Sequence, residues 1–162
     1  LKLFKGEFQA LKKTKTETEL ELAYTRDWVR CDWKDWSNCW VRIKVDLLVP
    51  PTTKNPEAVI VDHKTGRLKE MQYAPQLELY AIGALLEYPQ AERVRTELWF
   101  LDHGAIRPDP PAVYERKQLP KLQKTWEQRV RPMLSDTRFA PKPGQYCRWC
   151  DYAKAKGGPC QF

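Results

Sequence analysis

The stretch Val59-Ile60-Val61-Asp62-His63-Lys64-Thr65-Gly66-Arg67 decides the reading of this chain. It opens with a β-branched run, Ala58-Val59-Ile60-Val61, whose stiff side chains predict a buried strand. The run passes directly into Asp62-His63-Lys64, and Gly66 predicts the turn that ends it. Side chains alternate across a sheet, so Asp62 and Lys64 share one face at the polar end of an apolar strand. An Asp-x-Lys pair there has two readings: a surface ion pair, or an acid and an ammonium held for chemistry.

Working outward, Trp40–Val49 alternates. Trp40, Arg42, Lys44 and Asp46 fall on one face, and Val41, Ile43, Val45 and Leu47 on the other. Pro50 and Pro51 end this strand. If it pairs antiparallel with the strand at 58–64, Asp46 converges on Asp62 and Lys64. Downstream, Gln72–Leu86 predicts a helix with Leu77, Tyr80, Ala81, Ala84 and Leu85 on its apolar face. Gln76 and Tyr80, at i and i+4, lie on one side of it. Tyr80 also reads as a core aromatic with a bonded hydroxyl, and Gln76 as a solvated surface residue.

The remaining elements follow the same periodicities. Residues 1–18 carry Leu1, Leu3, Phe4, Phe8 and Leu11 at helical spacing. Leu20–Trp28 alternates loosely, and Arg30–Asn38 reads as a turn. Arg93–Leu101 predicts a strand, Asp102-His103-Gly104 a tight turn, and 111–115 an edge strand. Arg116–Leu134 predicts a helix, and the tail from Pro141 is irregular. The order predicts an α/β domain: a central mixed, mainly antiparallel sheet flanked by helices, covering 1–140, with a cysteine-bearing tail, 141–162, packed on it.

The chain of 162 residues carries 28 Lys and Arg against 21 Asp and Glu, a net charge of +7. A basic balance favours a polyanionic partner, because neutralised phosphates release counterions. No apolar run is long enough to span a bilayer and no signal pattern stands at the start, so a soluble, cytoplasmic protein is expected. That setting argues against a disulfide framework for the five cysteines.

Two carboxylates and an ammonium on neighbouring strand ends suit a hard cation such as Mg²⁺, which takes oxygen ligands, water and substrate phosphate. Such a cation acidifies bound water, and a lysine beside it orients or deprotonates the attacking water or offsets developing negative charge.

Asp46, the Asp62-His63-Lys64-Thr65-Gly66 strand end and the following Gln76-Leu77-Glu78-Leu79-Tyr80 resemble the RecB-like nucleases of the PD-(D/E)XK superfamily. These include AddB nucleases and CRISPR adaptation exonucleases. The resemblance spans about residues 40–160, and His63 stands where an aromatic residue is usual. It implies a restriction-endonuclease-like core and a Mg²⁺- or Mn²⁺-dependent DNA exonuclease of a compact phage or prophage type. It also implies DNA as substrate, with a helicase or recombination protein as a partner, and no membrane. Asp46 and Asp62 would hold the metal with the His63 carbonyl, Lys64 would be the catalytic lysine, and Gln76 and Tyr80 would flank them. An upstream His or Glu ligand is also usual; Glu7, Glu19 and Glu21 are the acids available.

The tail holds Cys147-Arg148-Trp149-Cys150 and then Cys160. Such spacing lets thiolates share one metal. The resemblance implies a [4Fe–4S] cluster there, completed by an upstream cysteine such as Cys31 or Cys39; zinc or reduced thiols are the alternatives. Arg67 and Lys69 follow the Asp-x-Lys strand closely, and Lys117, Lys121 and Lys124 form a stripe at helical spacing. Both sets read as phosphate contacts or as solvated surface, and Arg129, Arg131, Arg148 and Trp149 add to the basic and aromatic content nearby.

Overall fold

The computed structural model describes residues 4–161, apart from the side chain of Glu70. Leu1 and Leu3, part of the expected first helix, lie outside the described residues. The chain forms two compact units, Leu1–Glu127 and Gln128–Phe162.

In the first unit, helix α1 (Lys5–Lys12) precedes strands β1 (Glu17–Tyr24), β2 (Val41–Val49) and β3 (Glu57–Lys64). Helix α2 (Glu70–Glu87), β4 (Arg93–Phe100) and β5 (Ala105–Glu115) follow, and a 3-10 turn at Arg116–Gln118 leads into α3 (Leu119–Ser135). The five strands lie in sequence order in one sheet. β3 and β4 run parallel, joined through α2, and all other neighbours are antiparallel. This is the mixed, mainly antiparallel α/β architecture of the sequence expectation. The parallel pair exists because a crossover helix, not a hairpin, connects it.

The sheet is covered on both faces. Leu22, Tyr24, Ile43, Val45, Leu48, Ala58 and Ile60 pack with Tyr80, Ala81, Ala84 and Leu85 of α2. On the other face Phe4 stacks on Trp99 with ring centroids 4.9 Å apart, beside Val61, with Leu11 of α1 packed against them. Gly83 lets α2 approach closely: a β-carbon there would lie 2.9 Å from Ile43 Cδ1. The buried Tyr24 hydroxyl donates to the Gly83 carbonyl at 3.0 Å.

Three expectations change. β5 begins at Ala105, earlier than 111, because Pro108, Pro110 and Pro111 sit on an edge strand where a missing N–H costs no ladder bond. The register slips between Thr96 and Leu98 to absorb them. Lys117 belongs to the 3-10 turn, so the lysine stripe is not on one α-helix. Lastly, β2 does not alternate strictly. Val45 and Leu48 both pack under α2, whereas Leu47 joins the Phe4–Trp99 face. The change of parity falls at Asp46 and Leu47. Glu19, opposite Asp46 by register, has φ 53°.

Arg116 closes the end of α2. Its guanidinium donates to the carbonyls of Leu85 at 2.8 Å, Tyr88 at 2.7 Å and Ala91 at 2.5 Å. A helix leaves its last carbonyls without partners, and a forked cation satisfies several at once. No helix among the described residues is long and apolar enough to cross a membrane.

In the second unit, the chain continues from α3 into 3-10 turns at Gln145–Trp149 and Lys154–Lys156. Gly157 takes the left-handed conformation, φ 77°.

Candidate active site

The site lies where β2 and β3 end their pairing. Leu47 pairs with Val61, and beyond that rung the strands separate. Asp46 spans the gap: its Oδ2 accepts the backbone N–H of His63 at 2.8 Å and lies 3.7 Å from His63 Nδ1. The parity change in β2 makes this reach possible. Asp46 is therefore tied directly to the Asp62-His63-Lys64 strand end, as the sequence leads one to expect.

Asp62 is buried, 2% exposed, on the α2 face of β3. Lys64, two residues on, points the same way, with Nζ 2.5 Å from Asp62 Oδ2. This is a charge contact: Oδ2 is a buried oxygen with no hydrogen-bond partner of good geometry. Burial pushes the Asp62 carboxyl above its ordinary value, the Lys64 ammonium opposes this, and the negative charge of Asp46 adds to the rise.

Helix α2 contributes from above. Gln76 Nε2 donates to the Tyr80 hydroxyl at 2.5 Å, so the i, i+4 pair is a working contact. Burial and the neighbouring Asp62 charge push the Tyr80 hydroxyl up to about 12. The Lys64 ammonium stands 4.6 Å over the Tyr73 ring. His63, by alternation, turns its ring to the opposite face, edge-on to Trp99 at 6.1 Å.

Two residues missed in the sequence hold the turn after Lys64. Asp102 Oδ2 accepts the Gly66 N–H at 2.6 Å, and His103 Nε2 is 2.8 Å from the Gly66 carbonyl. The Leu101 N–H donates to the Lys64 carbonyl at 2.9 Å. Gly66, at φ 83°, takes a backbone conformation that glycine alone adopts freely. The Asp102-His103-Gly104 turn was legible, but its docking onto Gly66 depends on the parallel β3–β4 register.

The divalent cation implied by the family resemblance finds suitable donors here. Asp46 and Asp62 offer hard carboxylate oxygens, one of them buried without a donor. Among the described residues no group of three or more His, Cys, Asp or Glu side chains is gathered to hold a metal. The expected third acid is not supplied by the residues considered for it. Glu19 and Glu21 pair with Lys44 at 2.9 and 3.8 Å. Glu7 lines a groove with Arg95, Glu97 and Trp99 on the far face of the sheet.

In the tail, Cys147, Cys150 and Cys160 are free cysteines, and they form no group of three gathered metal-ligating side chains among the described residues. The Cys147 sulfur accepts the Gly144 N–H at 3.3 Å, and Cys160 is held through its N–H to the Tyr152 carbonyl. Both bonds are local to the turns that carry these residues. Cys31 and Cys39 are also free, and the Cys39 thiol donates to the Val41 carbonyl at 3.5 Å.

Of the basic residues, Arg67 and Lys69 are exposed just beyond the Gly66 turn. Lys117, Lys121 and Lys124 are exposed as well, on the 3-10 turn and the start of α3.

No curated protein matches. A solved structure described as "Crystal structure of SSO0001" matches at 18% identity and TM-score 0.39, over 99% of this chain and 63% of that one. This chain thus spans less than two thirds of that protein's length. The family described as the PD-(D/E)XK nuclease superfamily matches residues 2–155. With nearly the whole chain covered, the protein belongs to the PD-(D/E)XK nuclease superfamily.

Proposed function

We propose that this chain is a Mg²⁺- or Mn²⁺-dependent deoxyribonuclease of the RecB-like branch, acting as an exonuclease in DNA recombination, repair or phage DNA processing. The observation that carries this reading is the buried Asp62 carboxylate with Lys64 against it, beside an Asp46 bonded to the same strand end. Asp46, Asp62 and the His63 carbonyl would hold the cation, which when bound supplies Lewis-acid polarisation of the phosphate and acidifies water.

The protein's own groups have separate tasks. Lys64, held against Asp62, places its ammonium where it would offset the negative charge that grows on the phosphate oxygens. Gln76 fixes the Tyr80 hydroxyl, which keeps the Asp62 side of the site ordered. Asp102 and His103 hold the Gly66 turn and, through it, the position of Lys64. Arg67 and Lys69, exposed beside that turn, contact phosphates of the entering strand, with Lys117, Lys121 and Lys124 as a further basic set. A helicase or recombination protein would deliver the DNA.

The test uses end-labelled linear DNA and covalently closed circular DNA with Mg²⁺, Mn²⁺ or EDTA. Degradation of the linear form alone, abolished by EDTA and by Lys64→Ala, is expected. Cleavage of circles would make it an endonuclease, and equal activity of Lys64→Ala would end the catalytic assignment.

One observation favours a second reading. The acids considered for the third ligand are engaged elsewhere, which suits a DNA- or helicase-binding module with an incomplete site. Binding that falls steeply with salt, with no cleavage under any metal, would select it.

A further inference from the structure

The unit Gln128–Phe162 carries most of the chain's net positive charge, +5 of +7. It contains seven of the chain's 28 Lys and Arg but only two of its 21 Asp and Glu. It also exposes large rings: Tyr146 is 73% exposed, Trp149 59% and Tyr152 69%. Exposed aromatics gathered on a small unit mark a surface that meets a partner.

The local backbone explains their grouping. Gln145–Trp149 is a 3-10 turn, in which residues three apart eclipse. Tyr146 and Trp149 therefore share one side, with ring centroids 6.2 Å apart and planes tilted by 37°. The Arg148 guanidinium lies 3.7 Å over the Trp149 ring. Lys156 donates to the Trp149 carbonyl at 3.1 Å and pairs with Asp151 at 3.2 Å, which anchors the second turn beside the first. Gly158 packs directly on the Tyr152 backbone: a β-carbon there would lie 2.3 Å from its carbonyl carbon. The rings are thus presented by a folded segment.

We propose that this unit is a grip for single-stranded nucleic acid, with unpaired bases stacking on Tyr146 and Trp149 and phosphates meeting Arg148 and Lys154. Charge complementarity selects a polyanion, and exposed rings select unpaired bases, since a duplex hides its base faces. Nothing in the nuclease chemistry requires this surface. The inference rests on the nuclease reading only for the identity of the polyanion. Its test omits divalent metal, so a failed grip and a failed nuclease give different results.

The experiment measures anisotropy of labelled oligothymidylate and of a labelled duplex on the full chain in EDTA. Replacing Tyr146 and Trp149 together by Ala is expected to weaken single-strand binding about tenfold or more, as loss of base stacking does, with duplex binding nearly unchanged. Trp149→Phe retains most of the affinity. Arg148→Gln lowers the slope of log affinity against log salt by about 0.7, one phosphate contact to a single strand. Photocrosslinking of a bromodeoxyuridine oligonucleotide to the wild-type chain provides a check independent of variant folding, with adducts expected at Tyr146 or Trp149. Unchanged single-strand affinity in the double variant, an equal loss for both DNA forms, or adducts confined to residues before Gln128 would each overturn the proposal. In those cases the rings serve another partner, such as an acidic protein surface.

Discussion

Lys64 Nζ stands 2.5 Å from Asp62 Oδ2, with the carboxylate side chain 2% exposed and the lysine side chain 16% exposed. An ion pair this enclosed depends on both members, because either one left alone is a buried charge without a counter-ion. Lys64→Ala should therefore destabilise the fold by about 3 kcal/mol in urea unfolding, as well as lower cleavage by about 10²–10³-fold. The double variant Asp62→Asn, Lys64→Met should recover much of the stability and none of the activity. If Lys64→Ala is as stable as wild type, the pair is not the enclosed contact described.

Tyr80→Phe removes only the hydroxyl that accepts from Gln76 and faces Asp62. A fall in cleavage rate of about 10–100-fold is expected, the usual cost of losing a partner that orients a ligand. Thermal stability should drop by about 1 kcal/mol, one hydrogen bond. Gln76→Ala should act in the same direction. An unchanged rate in both variants would return Tyr80 to a purely structural role.

Arg116→Met leaves the Leu85, Tyr88 and Ala91 carbonyls without their cation. About 3 kcal/mol of stability should be lost, and Arg116→Lys should recover little of it, since an ammonium lacks the planar fork. Below the melting transition the cleavage rate should match wild type, because Arg116 closes the end of α2 far along the helix from Gln76. Full rescue by lysine in a melting experiment would contradict this account.

Glu57 supplies a pH dependence. Burial raises its carboxyl, but Arg93 at 2.8 Å and Arg95 at 3.3 Å outweigh it and hold the group below its ordinary value of 4.5. A depressed folded-state value means stability that is present above the unfolded value and lost as pH falls through the folded one. Wild type should exceed Glu57→Gln at neutral pH by about 1.5 kcal/mol, the low end for charged hydrogen bonds because both arginines are partly exposed. The advantage should shrink as pH falls below about 4. A difference that is flat with pH in melting experiments would remove the electrostatic explanation.

The order of elements, the Asp62-x-Lys64 strand end and the Gln76–Tyr80 spacing are all legible in the amino-acid sequence, because each is local. Alternation places Asp62 and Lys64 on one face, the helical repeat places Gln76 beside Tyr80, and the β-branched run at 58–61 marks the central strand. Tertiary structure decided what these groups meet. The parity change at Asp46, the docking of Asp102 and His103 on Gly66, and the Arg116 closure of α2 join residues 17 to 37 positions apart. No periodicity reports such contacts, since they follow from which strands pair and in what register. The tail shows the same division from the other side. Its cysteine spacing permits a shared metal, but spacing limits only the reach of the chain, and the one bond to a tail sulfur, from the Gly144 N–H to Cys147, depends on the folded turn.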